Sequence, residues 1–149
     1  MKVFDVMSTA LLTATPDESL ASVVRKIVMR NCGSVPVVDE SNHLLGVIAI
    51  RDVMLPLFPN MGEYVHDSVH TRDFEEMEED YPKVLKKLAS EVMTANPMTV
   101  SADMPVLKAA SYMGLKHLRR IPVTDEENLL IGMVSIGDVN RGLFIATAQ

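Results

Sequence analysis

One spacing governs this chain: residues 86 positions apart repeat one another. Val6-Met7 returns as Val92-Met93, Thr13 as Thr99, Asp17 as Asp103, and Pro36-Val37 as Pro122-Val123. Asp39-Glu40, Asn42, Leu44 and Gly46 return as Asp125-Glu126, Asn128, Leu130 and Gly132, while Ile50 and Asp52-Val53 return as Ile136 and Asp138-Val139. At this offset 14 of the 48 positions from Val6 to Val53 are identical, without a gap. Ordinary composition gives about three. Other pairs exchange like for like, such as Val35/Ile121, Leu45/Ile131 and Ile48/Val134. The chain is therefore a tandem duplication. Two copies predict a two-lobed unit, since a solenoid needs three or more.

Each copy reads as a short polar-apolar segment, a helix, two strands and a second helix. Asp17 is positioned to cap a helix with Leu20, Val23, Val24, Ile27 and Val28 on one face, the three-four spacing of a buried helical stripe. Val106, Ala109, Ala110 and Met113 repeat that stripe. The next strand is expected over 35–38 and 121–124, its Pro near the start, where a missing N–H is tolerated. A polar turn, Asp39-Glu40-Ser41-Asn42 or Asp125-Glu126-Glu127-Asn128, leads to a second strand over 44–50 or 129–136. The closing helix is expected to start near Arg51 or Gly137.

The copies span 1–56 and 92–149, and the stretch 57–91 is an insert. Pro56, Pro59, Asn60 and Gly62 mark a break. Phe74, Met77, Tyr81, Val84, Leu85 and Leu88 then form one helical stripe, with acidic residues preceding Lys83, Lys86 and Lys87. That order suits the helix dipole and permits i,i+4 pairs such as Glu79–Lys83. Pro82 either kinks the helix or marks its first turn. Such a stripe is expected to pack on its own module or on a dimer partner.

A net charge of −6 argues against non-specific nucleic-acid binding. Cys32 is the only cysteine, so no internal disulfide forms and a reducing cytoplasm is the expectation. No apolar run reaches membrane-spanning length, so neither a membrane nor a nucleic acid is an expected partner.

The Val-Met-Ser/Thr openings, the Val-Pro-Val-Val-Asp and Ile-Pro-Val-Thr-Asp strands, and the Gly-(five residues)-Asp-Val segments together resemble cystathionine-β-synthase-type (CBS) domains. Such domains occur in tandem pairs, also called Bateman modules. Each motif alone is weak; two ordered copies are strong. The resemblance covers about 3–56 and 92–145. It implies a mixed α/β (α+β) fold: two repeats related by a pseudo-two-fold, each a small, mostly antiparallel sheet with flanking helices. It also implies a regulatory sensor for AMP, ADP, ATP or S-adenosylmethionine that signals to a partner protein, with no catalysis and no resident cofactor. A homodimer is the implied assembly.

By the same resemblance, Asp52 and Asp138 hold ribose hydroxyls. A carboxylate accepts two O–H donors from a cis-diol. Ser135 lies near the ribose or phosphate of one ligand; the first copy has Ala49 in its place, with Arg51 as a compensating cation. Read from the residues alone, Ser135 and Asp138 are also a reciprocal helix cap. Thr13 and Ala14 with Val35, Pro36 and Val37 line one adenine cleft. Thr99 and Val100 with Ile121, Pro122 and Val123 line the other. Arg119 and Arg120 match a phosphate-binding basic pair, and guanidinium forks suit phosphate. They are expected to reach the Asp52 cleft, leaving Gly33 and Ser34 for the Asp138 cleft. The sites should therefore differ, the Asp52 cleft taking the more phosphorylated ligand.

Two rivals remain. His66 and His70 stand four apart, a spacing able to chelate a metal on a helix, but no third ligand is evident. The other is a ligand-free assembly module. The chain contains no phosphate-binding Gly-rich loop and no nucleophile motif of a hydrolase.

Overall fold

The computed structural model describes residues 1–58 and 74–148. In the first copy, helix α1 (Val3–Val6) precedes α2 (Leu20–Arg30), strands β1 (Ser34–Val38) and β2 (Leu44–Ala49), helix α3 (Ile50–Met54) and a 3-10 turn (Leu55–Leu57). Short helices α4 (Phe74–Glu78) and α5 (Tyr81–Leu85) follow. The second copy comprises α6 (Ala89–Val92), β3 (Thr94–Ala95), α7 (Val106–Leu115), β4 (Arg120–Thr124), β5 (Leu130–Ser135) and α8 (Ile136–Thr147). Both hairpins are antiparallel, and β3 joins the free edge of β2.

Each strand pair carries the same irregularity, between Val37 and Val38 and between Val123 and Thr124. Asn42 and Asn128 take the left-handed backbone in the hairpin turns, as Asn31 and His117 do after α2 and α7; Asn adopts that region more readily than most residues. Leu20, Val23 and Ile27 of α2 are fully buried, but Val28 is 67% exposed. The cap of α2 is Ser19, whose hydroxyl accepts the Ser22 N–H, instead of the expected Asp17. The helix begins three residues after Asp17, beyond the reach of a capping side chain. In the insert the expected single stripe is split at Glu79-Asp80, and Pro82 lies in the first turn of α5. Lys83 pairs with Asp80 at 3.6 Å instead of Glu79. Met77 and Val84 are buried, whereas Phe74 is exposed.

The copies exchange their leading segments. The core of the first hairpin and α2 is completed by Val84 and Ala89, while that of the second is completed by Val3 with Val6 and Met7. Backbone bonds repeat at the 86-residue offset: Ala89 N–H to Glu18 O matches Val3 N–H to Met104 O, and Leu20 N–H to Lys87 O matches Val106 N–H to Met1 O. Thr94 pairs with Val47 on the first sheet, and Ser8 bridges Met133 on the second. At the pseudo-two-fold His43 bridges Leu129. The Asn42 and Asn128 side chains reach across to Leu130 O and Leu44 O, each at 2.9 Å.

These crossings explain the two repeated glycines. A Cβ at Gly46 would meet Met93 Sδ at 2.6 Å and Thr94 O at 2.8 Å; at Gly132 it would meet Met7 Sδ at 2.7 Å. The arm of one copy lies on the glycine of the other, which links the Met7/Met93 repeat to the Gly46/Gly132 repeat.

Candidate functional site

Thr13 and Ala14 lie beside β1. Ala14 N–H donates to Pro36 O, and Val38 N–H donates to Ala14 O, both at 2.9 Å. Val100 is held identically between Pro122 O and Thr124 N–H, each at 3.1 Å. The folded chain thus brings Thr13-Ala14 against Val35–Val37, and Thr99-Val100 against Ile121–Val123. The strand residues are buried.

A polar cluster supports the Thr13 segment. Lys26 Nζ donates to Thr13 O at 2.7 Å and lies 2.9 Å from Glu18 Oε2, which also accepts the Ser22 hydroxyl at 2.8 Å. Burial pushes the Glu18 carboxyl up, but the bonds from Lys26, Ser22 and the Thr15 N–H together hold it below the usual value. The second copy has Met104 and Tyr112 at the matching positions.

Asp52 and Asp138 stand at the starts of α3 and α8. Asp52 Oδ2 accepts the Ala49 N–H at 2.8 Å, and Oδ1 has no hydrogen bond among the described residues. Asp138 is more heavily engaged. Oδ2 accepts the Ser135 N–H at 2.9 Å, the Ser135 hydroxyl accepts the Asp138 N–H at 2.9 Å, and Arg141 donates to Oδ1 at 2.7 Å. The reciprocal cap read from the sequence is thus formed at Ser135 and Asp138. Arg141 was not foreseen; its place in the first copy is taken by Leu55, so the repeat comparison carried no signal for it.

A cavity of about 280 Å³ lies where the copies meet, lined by Ser34, Pro36, Arg30 and Asn31 from one and Arg120 and Met133 from the other, with the Ser8–Leu12 arm. No carboxylate is among its lining residues. Ser34 and Arg120 occupy the first positions of β1 and β4, where they pair with Ala49 and Ser135. The pseudo-two-fold brings these matching positions to one seam.

Ser34 and Arg120 share a wall of this cavity. Arg119 is exposed and outside that lining, and Arg30 is the second cation. Sequence reasoning passed over Arg30 because its own copy lacks an Arg-Arg pair, although Lys116 at the matching position was a signal. Asp52, Asp138 and Arg51 do not line the cavity, but Asp52 holds Ala49, the cross-strand partner of Ser34. Thr99 and Val100 border a different, acidic cleft at the far end of β4 and β5 from Ser135. His66 and His70 lie outside the described residues. Among the described residues no group of three His, Cys, Asp or Glu is placed to hold a metal, and no helix is long and apolar enough to cross a membrane.

A duplicated helix-hairpin-helix unit with exchanged leading segments defines a class of paired domain, and comparison with known proteins identifies it. The CBS domain family model matches residues 3–57 and 89–144. The chain belongs to the CBS-domain family and is a tandem CBS pair. A CBS domain-containing protein of Dictyostelium discoideum is 30% identical over 145 residues, covering 93% of this chain and 90% of the relative. An uncharacterised protein of Methanocaldococcus jannaschii is 27% identical, covering 96% and 91%. The inosine-5'-monophosphate dehydrogenase of the same organism is 25% identical, but the match takes in only 23% of that longer enzyme. Among solved structures, CBSX2 in complex with AMP superposes with a TM-score of 0.76 and 26% identity over 98% of both chains. A second structure, that of the CBS-pair protein CBSX2 from Arabidopsis thaliana, matches with a TM-score of 0.80 and 23% identity, covering 99% of this chain and 97% of that one.

Proposed function

We propose that this chain is a regulatory sensor that binds an adenosine-containing ligand at the seam between its repeats and signals to a partner protein. The observation that carries the reading is the seam cavity, which has two guanidinium groups, Arg30 and Arg120, and no carboxylate in its lining. Such a wall favours a phosphate, which an arginine fork can hold through two bonds. At about 280 Å³, the cavity is at the small end of ligand pockets, large enough for the charged end of a nucleotide. The base then lies along Thr13-Ala14 and Val35–Val37, and the ribose diol bonds to Asp52, whose Oδ1 is open among the described residues. CBSX2, at 26% identity, was solved with AMP, which supports an adenine nucleotide as the ligand.

The Asp138 side is the weaker site in this reading. Arg141 occupies the oxygen a ribose would need, so a ligand must first displace it. Ile121–Val123 form the base wall there, with Ser135 beside the sugar. The chain itself performs no chemistry: ligand binding changes the angle between repeats, or between chains, only as far as it favours one arrangement. Exposed Val28 and Met29 on α2 and Phe144 and Ile145 on α8 support a homodimer through helix faces. Lone Cys32 is consistent with a reducing cytoplasm.

The test is calorimetry of the chain with AMP, ATP and S-adenosylmethionine, repeated on the double variant Arg30→Ala/Arg120→Ala. AMP and ATP binding should weaken at least tenfold in that variant. Unchanged affinity refutes the phosphate assignment, and no binding of any adenosyl compound to the parent chain favours the pure assembly role.

A further inference from the structure

One stretch of the first copy lines both ends of the proposed site. Ser8, Ala10, Leu11 and Leu12 line the seam cavity, and Thr13-Ala14 lie against β1. The backbone is fixed at Ser8 by its bridge to Met133 and at Ala14 by its bridge to Val37. Between those points, among the described residues, only Thr13 O takes part in a backbone hydrogen bond: it accepts Lys26 Nζ at 2.7 Å. A wall held at so few points loses freedom when a ligand packs on it, and that loss weakens binding unless the wall is fixed beforehand.

Lys26 is itself oriented by Glu18. The ammonium lies 2.9 Å from Glu18 Oε2 and 3.0 Å from Oε1, and the carboxylate also accepts the Thr15 N–H at 3.3 Å and the Ser22 hydroxyl at 2.8 Å. Both side chains are largely shielded, Lys26 at 29% exposed and Glu18 at 15%. Ser22 and Lys26 stand one turn apart on α2, so the helix presents a hydroxyl and an ammonium to one carboxylate. The Glu18 main-chain carbonyl accepts the Ala89 N–H at 2.8 Å, which ties Glu18 to the first turn of α6. The second copy has Met104 for the glutamate and Tyr112 for the lysine. It reaches the same helix and hairpin without either charge, so the fold does not demand the pair.

We propose that Lys26 and Glu18 are a positioning pair for the adenosyl ligand: Glu18 orients the ammonium, and the ammonium fixes residues 9–13 as a preformed wall. This role rests on the sensor reading above, and it makes the Asp52 side the preformed one of the two.

Calorimetry of the full chain with AMP and adenosine tests it, with urea unfolding of each variant as the measure of stability. Lys26→Met keeps the carbon chain and removes the ammonium; it should weaken both ligands about three- to tenfold, since a partly exposed pair contributes modestly. Lys26→Arg returns a cation and should recover the parent affinity. Glu18→Gln should weaken binding in the same direction, and the double variant Glu18→Gln/Lys26→Met should lose no more than Lys26→Met alone, because the two groups act as one unit. If Lys26→Met does not fold, Glu18→Gln and Lys26→Arg decide by the same criteria. Parent affinity in Lys26→Met or Glu18→Gln together with lower stability makes the pair purely structural and overturns the proposal, as does failure of Lys26→Arg to recover binding. Absence of AMP and adenosine binding to the parent chain is a separate result, which refutes the sensor reading and the positioning role with it.

Discussion

Four residues carry most of what can be tested one side chain at a time. Asp52 and Asp138 match in sequence but not in surroundings, because among the described residues only Asp138 has an arginine on its outer oxygen. Asp52→Asn should therefore lower AMP affinity about tenfold or more, the loss expected of a shielded charge-assisted bond, while Asp138→Asn has a smaller effect. Calorimetry of both variants reads the difference directly. Gly132 makes a different prediction. Its added methyl would lie 2.7 Å from Met7 Sδ and 3.1 Å from Ser8 O, so Gly132→Ala should cost about 1–3 kcal/mol in urea unfolding, the range of overpacking. Glu18 gives the pH prediction. Its folded carboxyl is held below the usual value by Lys26, Ser22 and Thr15 despite its burial. Its stabilisation is thus complete above the ordinary carboxylate range and disappears as pH falls through the lower folded value. The stability gap between parent and Glu18→Gln should shrink over that acid range when denaturation is followed at successive pH values.

At the scale of elements, short helices depend on what they dock against. Helix α1 has four residues, too few to persist alone. It is held by Val3, fully buried in the second core, and by backbone bonds to Met104 and Ala102. Val3→Ala should destabilise the chain by about 1–3 kcal/mol through the vacated space, and hydrogen exchange should show the loosening in α7 and β4 more than in α2. Helix α8 depends instead on its cap. Ser135→Ala removes the acceptor for the Asp138 N–H and should cost about 1 kcal/mol. The split of the insert into α4 and α5 follows from Pro82. A proline supplies no N–H to an interior turn but is tolerated in the first one, so a second helix starts at Tyr81.

For the whole molecule, the exchange of arms makes the two copies one folding unit. Neither core is complete without a segment contributed from outside its own helix-hairpin run. Unfolding should therefore be a single transition by both near- and far-ultraviolet signals. A ligand at one hundred times its dissociation constant should add about 2.7 kcal/mol to the whole. The apolar side chains left on α2, α7 and α8, such as Met29, Leu115 and Phe144, predict a dimer in light scattering after gel filtration. A charged substitution at Phe144 should shift it toward monomer.

The duplication, the strand-turn-strand units and the buried helical face at Leu20, Val23 and Ile27 were legible in the sequence, because local periodicity and internal repetition record which face of each element is apolar. The asymmetries at Ala49 and the Arg119-Arg120 pair were legible too. The destination of those side chains was not. That Ser34 and Arg120 share one wall, that Arg141 takes an oxygen of Asp138, and that Gly46 makes room for Met93 all depend on how the copies cross. Repetition fixes the unit, but contacts between units arise between residues far apart in the chain. Their pairing follows from packing two apolar faces against each other, which no local pattern encodes.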